Sequence, residues 1–128
     1  MPSLRTVRHG LVLSLLAIAF GFAMGALFGA NEEAMKGQLK SSGEAVLAEK
    51  YGGDAAKLKS VLDKSWIYFQ RAHLHGGGLG AVALAAALLL AFLPGNALRG
   101  RALAALALGL GALGYSVFWL LAGLRAPA

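Results

Sequence analysis

Three long apolar runs without a charged side chain dominate the hydrophobic pattern of this chain. They extend over residues 10–30, 72–93 and 102–124. About 20 helical residues cross a hydrocarbon core of roughly 30 Å, and a backbone in lipid has to satisfy its own hydrogen bonds. The pattern therefore predicts an all-α integral membrane protein with about three transmembrane helices, which form a single membrane domain over residues 1–128.

The stretch over residues 31–71 differs in kind, because lysine and glutamate occur throughout it. Apolar residues such as Met35 and Leu39 still recur at helical spacing there. Gly52-Gly53 interrupts the pattern, and Asp54 is a candidate N-cap for a following helix. We expect an amphipathic helical region, lying at the membrane surface or folded over the bundle. A solvated helical hairpin is the alternative.

The first apolar run has a second interpretation as a secretory signal. Arg5 and Arg8 would form its basic region, residues 11–22 its apolar region, and Ala23-Met24-Gly25 its cleavage site. On that alternative, residues 1–25 would be removed. The apolar stretch continues beyond the site to residue 30, which favours a retained transmembrane helix.

Glycines recur along the charge-free runs, where small residues let membrane helices approach closely. The candidate helix-packing residues are Gly21, Gly25, Gly29, Gly109 and Gly111. Because three spans bury little surface among themselves, we expect further partners besides the lipid bilayer. The chain would be a homo-oligomer or a subunit of a membrane complex.

Composition and charge support a membrane chain over a nucleic-acid-binding one. Hydrophobic residues make up 58% of the sequence and charged residues 14%, whereas a soluble domain is about one quarter charged. The absence of cysteine excludes disulfides, thiolate metal sites and cysteine nucleophiles. All six acids lie within residues 31–71 together with seven bases, so +5 of the net charge of +6 comes from arginines that flank the apolar runs. These are Arg5, Arg8, Arg99, Arg101 and Arg125.

The flanking arginines also bear on orientation. Two spans separate the N-terminus from the short turn over residues 94–101, so both lie on the same side of the membrane. Both segments carry two arginines, and the positive-inside rule assigns such segments to the cytoplasm. We therefore expect the N-terminus and this turn to be cytoplasmic.

A polar patch at the start of the second run is the main candidate for chemistry. It contains Arg71, His73 and His75, and neutral imidazole binds haem iron, copper and zinc. Residues two apart on a helix differ by about 200°, so His73 and His75 point to nearly opposite sides. Arg71 and His75 share a face. Anchoring at the membrane interface is the alternative role.

The third histidine, His9, begins the first run, at the opposite end of an antiparallel pair. It should lie about 30 Å from His73, which argues against one haem held by both within a chain. A site between subunits stays open. No ionisable residue lies in the middle of an apolar run, which argues against a proton pump or an ion-coupled transporter.

The segment Arg71-Ala72-His73, in a small membrane protein rich in alanine and leucine, resembles the R-A-H segment of the MAPEG family. Members of that family are glutathione-using membrane enzymes, built as trimers of four-helix subunits. The resemblance covers three to four residues. The family motif continues with Asn and Glu, where this chain has His75 and Gly78, and the chain shows three spans. The resemblance implies glutathione binding at Arg71.

Three hypotheses for function follow. The leading one is a non-catalytic accessory, scaffold or self-associating membrane component, supported by the glycine spacing and the charge-free spans. The second is a haem- or metal-binding redox protein that uses His73 or His75. The third is a MAPEG-like glutathione-dependent enzyme.

Overall fold

The computed structural model describes residues 4–95 and 97–128 of the chain. Its helices are α1 (Leu4–Ala45), α2 (Leu47–Tyr51), α3 (Ala55–Phe92) and α4 (Leu98–Arg125), with no strand among these residues. The three long helices α1, α3 and α4 are each long and apolar enough to cross a membrane. The prediction of an all-α chain with three such helices is confirmed.

The polar stretch mainly extends the long helices, and the short helix α2 is the one helix that lies wholly within it. Helix α1 continues past residue 30 to Ala45, with a kink at Asn31, whose φ of −136° and ψ of 21° are not helical. Helix α3 starts at Ala55 and runs without interruption through the glycines at 76–78. Lysine–glutamate pairs four residues apart, such as Lys40–Glu44 at 3.7 Å, favour helix in water. Helices α1 and α3 therefore extend beyond the ends of their apolar runs.

A tight corner separates α2 from α3. Gly52 and Gly53 have φ values of 63° and 78°, a left-handed conformation that glycine adopts without strain. Asp54 Oδ1 then accepts hydrogen bonds from the backbone N–H groups of Ala56 and Lys57 at 2.9 and 3.1 Å. These bonds hold the pKa of Asp54 below its usual value. Asp54 is thus the N-cap that the sequence predicts.

Small residues form the interior, where α1, α3 and α4 pack against one another. A Cβ built on Gly21 of α1 would lie 2.4 Å from the backbone nitrogen of Gly77 in α3. A Cβ on Gly10 of α1 would lie 2.2 Å from the carbonyl oxygen of Ala105 in α4. Backbones therefore touch directly, as in membrane helix pairs with small residues at the contact. The buried small residues include Ala17, Gly76, Gly80, Ala83, Ala87, Ala105, Gly109 and Ala112.

Three serines lie in this interior with their hydroxyl groups bonded. Ser14, Ser65 and Ser116 are fully buried. Each donates to the carbonyl four residues earlier in its own helix, at 2.8, 2.9 and 2.8 Å. Because no hydroxyl needs a partner on another helix, these serines serve as small packing residues at little polar cost.

The outer surface of the bundle is strongly apolar. Within the most apolar 18-residue stretch of α1, α3 and α4, only 28%, 28% and 22% of the residues are buried. Phe22, Leu89 and Phe118 are among the large side chains exposed by 70% or more. A water-soluble monomer rarely exposes such a continuous apolar area, whereas a lipid-facing bundle does.

Arg101 closes the turn between α3 and α4. It is only 9% exposed, and its Nη2 donates to the carbonyl oxygens of Pro94 and Gly95 at 2.7 and 2.6 Å. Its guanidinium is directed toward the turn, because the turn leaves these carbonyls without helical partners.

The residues that follow α4 are hydrogen-bonded to the short helix α2. The Tyr51 hydroxyl donates to the carbonyl of Pro127 at 2.8 Å, and Lys50 Nζ donates to the carbonyl of Ala126 at 3.2 Å. Pro127 is buried beside Gly43 of α1. All helices thus meet at this end, and the polar extension is packed against the bundle.

The backbone contact at Gly21 gives a stability prediction. We expect Gly21→Ala to lower the free energy of unfolding by about 1–3 kcal/mol, because the rigid backbone of Gly77 blocks the added methyl group. Gly29→Ala is the matched control, since nothing lies within 4 Å of its Cβ position. Thermal unfolding followed by circular dichroism in mild detergent measures both. Equal melting temperatures for the two variants would contradict the contact.

Candidate functional site

His73 is directed from α3 into the contact with α1. Its Nδ1 lies 2.6 Å from the carbonyl oxygen of Gly21. A carbonyl can only accept, so Nδ1 carries the hydrogen and donates it. The ring lies against Gly25, where an added Cβ would be 2.6 Å from Cε1, and meets Phe28 edge-on at 6.1 Å. His73 therefore links two helices.

Arg71 and His75 face α4 instead. The Arg71 guanidinium lies 4.7 Å from the ring centre of Trp119, and the His75 ring meets Tyr115 edge-on at 5.1 Å. Tyr68 packs on Trp119 at 4.9 Å. The indole N–H of Trp119 is buried and has no acceptor among the described residues. This aromatic–cationic cluster orders the contact between α3 and α4.

The two neighbouring histidines thus diverge, as their spacing on a helix predicts. His75 Nδ1 donates to the carbonyl of Arg71 at 2.8 Å, so each imidazole keeps only Nε2 for another ligand. The two rings contact different helices. Over residues 4–95 and 97–128, no group of three or more histidine, aspartate or glutamate side chains could hold a metal ion.

His9 is closer to His73 than the sequence implies, yet still far away. Gly21, the partner of His73, follows His9 by twelve residues on α1, a rise of about 18 Å. The expectation of about 30 Å was too long, because α3 crosses α1 within the charge-free run instead of at its end. His9 Nε2 also accepts a hydrogen bond from Arg8 Nε at 3.1 Å.

The contact between His73 and Gly21 also shows where the patch lies relative to the apolar runs of the neighbouring helices. His73 lies beside Gly21 and Gly25, inside the run over residues 10–30, and His75 lies beside Tyr115, inside the run over 102–124. The sequence placed the patch at the entrance of the second run. In the bundle, it is covered on two sides by the apolar helices α1 and α4.

The candidate glycines divide into two groups. Gly21 and Gly109 are buried against backbone, and Gly25 lies against the ring of His73. Gly29 and Gly111 are exposed, with nothing within 4 Å of a Cβ. The first group packs the three helices together, whereas the second leaves smooth places on the outer surface.

Sequence reasoning missed the partners of the patch. It did not connect Tyr115 and Trp119 with His75 and Arg71. An antiparallel alignment of residues 72–93 with residues 102–124 places Trp119 opposite about residue 77, six residues from Arg71, so the ends of the runs alone do not give this pairing. It also missed that Lys36, in the polar stretch, lies over the Trp66 ring at 4.8 Å.

The two histidines should differ in their effect on stability. We expect His73→Leu to lower the free energy of unfolding by about 1 kcal/mol, because the hydrogen bond to Gly21 joins two helices. His75→Leu should cost less, since its bond stays within α3. Thermal unfolding of both variants in the same detergent decides. A larger loss for His75→Leu would contradict the assigned roles.

MAPEG subunits contain four helices, whereas the described residues form three long helices and the short α2. Arg71 and His73, which carry that resemblance, contact different helices. Comparison with protein-family models, with curated protein sequences and with solved structures gives no match to this chain.

Proposed function

We propose that this chain is a non-catalytic, multi-pass membrane component that associates with a second copy of itself through the outer face between α3 and α4. The support comes from three long apolar helices with mostly exposed side chains. It also comes from a polar patch whose nitrogens are engaged within the chain. A groove on the apolar surface carries the proposal.

The groove lies between α3 and α4 and has a volume of about 530 Å³. Its lining combines small residues, among them the buried Ala83 and the exposed Ala107 and Gly111, with the larger Leu79, Val82 and Leu108. Among the described residues, only apolar side chains and glycine line it. Small residues that open the backbone to a close approach are the usual contact surface between membrane helices.

A second copy fits this face because the face carries both shapes that a symmetric contact needs. A twofold interface brings one patch against itself. Here the larger side chains of one chain can pack against the alanine and glycine residues of its partner. Gly111, which has open space at its Cβ position, permits the closest approach. Three spans bury little surface within one chain, so association adds the packing that the monomer lacks.

The patch around His73 acts as a structural element in this proposal. Its Nδ1–H bond to Gly21, the stacking of Arg71 on Trp119, and the contact of His75 with Tyr115 hold α3 against both neighbours. A haem or metal centre would instead require Nε2 atoms from two chains to converge, and the proposed interface lies on another part of α3.

Retention of the first helix belongs to the same proposal. Cleavage after residue 25 would remove the α1 partners of α3, among them Ser14, Ala17 and Gly21. It would expose the α3 glycines that now contact backbone. We also propose that the N-terminus and the turn over residues 94–101 face the cytoplasm, because they carry four arginines.

A bulky residue in the groove should block association. We expect Gly111→Leu to reduce the dimer fraction severalfold in mild detergent, since the added side chain fills the space that a second copy would occupy. The measurement is size-exclusion chromatography with light scattering, supported by cross-linking in membranes. Ala23→Leu, on the exposed face of α1, is the matched control. Wild-type behaviour of Gly111→Leu, or a monomeric wild type, would overturn the proposed interface.

Orientation is testable because the chain has no native cysteine. We expect Ser60→Cys to react with a membrane-impermeant maleimide on intact cells, and Gly100→Cys to react only after permeabilisation. Both positions are exposed, and no neighbour crowds Gly100. The reverse labelling pattern would show that the arginine-rich segments face outward.

A further inference from the structure

A second cavity lies outside the charge-free runs, between the polar extension of α1 and the first part of α3. Its volume is about 410 Å³, within the range of about 300–1,000 Å³ that is typical of small-molecule sites. The residues lining it are Lys36, Leu39, Lys40, Leu62, Asp63, Trp66 and Ile67. Two lysines and one acid thus surround a largely apolar space.

The lysines lie one helical turn apart on α1, at the same cavity. Lys36 stacks on Trp66 at 4.8 Å and bonds to Glu32, which raises the pKa of Lys36 and keeps it charged. Lys40 pairs with Glu44 at 3.7 Å. Neither glutamate lines the cavity. Because all four side chains are 42–65% exposed, these ion pairs are weak and a second anion can share the lysines.

The single acid on the lining, Asp63, is paired on its own helix, where it accepts a hydrogen bond from Lys59 at 3.0 Å. The side chains of this pair are 64–77% exposed, so the pair is as weak as those of the two lysines. Among the described lining residues, two ammonium groups stand against one carboxylate, and the lining keeps a net positive charge. This balance favours an anion with several acceptor oxygens, such as a phosphate ester.

The remaining walls favour a ligand with a long apolar part. Leu39 is 7% exposed and Ile67 is 44% exposed, so an apolar path leads from the inner wall to the outer surface. Trp66 packs on Phe28 at 5.5 Å, and Phe28 lies near the end of the apolar run over residues 10–30. The cavity thus sits just beyond that run, where a bilayer has its headgroups.

We infer that this cavity binds one anionic phospholipid, with its phosphate between Lys36 and Lys40 and an acyl chain along Leu39, Leu62 and Ile67. Basic residues immediately outside a spanning helix attract anionic headgroups, and the Trp66 wall fixes the depth of the ligand. The site is separate from the α3–α4 groove, so it stands or falls independently of self-association.

Native mass spectrometry of the full chain, stripped of bulk lipid in detergent, tests the inference. We expect the wild type to retain one phosphatidylglycerol at lower lipid concentration than phosphatidylcholine. The double variant Lys36→Gln/Lys40→Gln should bind phosphatidylglycerol about tenfold more weakly, through the loss of charge-assisted hydrogen bonds. Lys57→Gln/Lys64→Gln removes equal charge outside the cavity and should bind like the wild type. Equal weakening in both double variants, or no preference between the lipids, would overturn the site.

Trp66 provides a second readout that does not depend on mass spectrometry. In a Trp119→Phe background, Trp66 is the sole tryptophan, and its emission should shift to shorter wavelength when phosphatidylglycerol is added. The shift should vanish when Lys36 and Lys40 are also replaced by glutamine, while circular dichroism confirms that the helices remain. Inorganic phosphate at the same concentration should leave the emission unchanged. An equal response to inorganic phosphate would identify a free-anion site and exclude the lipid assignment.

Discussion

The structure depends on the direct contact of helix backbones at small residues. Where Gly21 meets Gly76 and Gly77, and where Gly10 meets Ala105, no side chain separates the helices. Such contacts gain van der Waals energy over many atoms and tolerate no added carbon. They also fix how far each helix slides along its neighbours. All other features follow from that register, because the large apolar side chains are left to point outward.

The register explains why the polar patch is engaged within the chain. His73 lies one turn before Gly76 in α3, so placing Gly76 against Gly21 brings the His73 ring to the Gly21 carbonyl. The register of α4 against α3 likewise places the Trp119 ring next to the Arg71 guanidinium. Polar groups that are costly to leave unpaired between apolar helices therefore find partners on two different helices. The hydrogen bond of His73 and the ring contacts of Arg71 and His75 join α3 to α1 and α4, which supports a structural role for the patch.

The two surfaces with proposed ligands differ in the polarity of their side chains, because one lies within the apolar runs and the other lies beyond them. The α3–α4 groove is lined by alanine, glycine, leucine and valine, and only another apolar, closely fitting surface gains from entering it. The cavity between α1 and α3 combines Lys36 and Lys40 with apolar walls, which suits a molecule that is charged at one end and apolar at the other. In the two proposals, one face of the bundle contacts a second copy and one cavity holds a lipid. Only the cavity with the two lysines depends on helices that extend beyond their apolar runs, because α1 continues past residue 30 and α3 begins before residue 72.

The sequence by itself determined the helical class, the three apolar helices and the Asp54 cap, because periodicity, length and capping chemistry are local properties. It also determined that His73 and His75 diverge, since helical geometry alone sets that angle. Only the tertiary structure decided which face of each helix is inward, and so which glycines pack and which stay exposed. Only the tertiary structure shows that Arg101 bonds to Pro94, that His73 bonds to Gly21, and that Lys36 lies over the Trp66 ring. These outcomes depend on the register between helices distant in sequence, which backbone contacts fix and which no pattern along a single helix encodes.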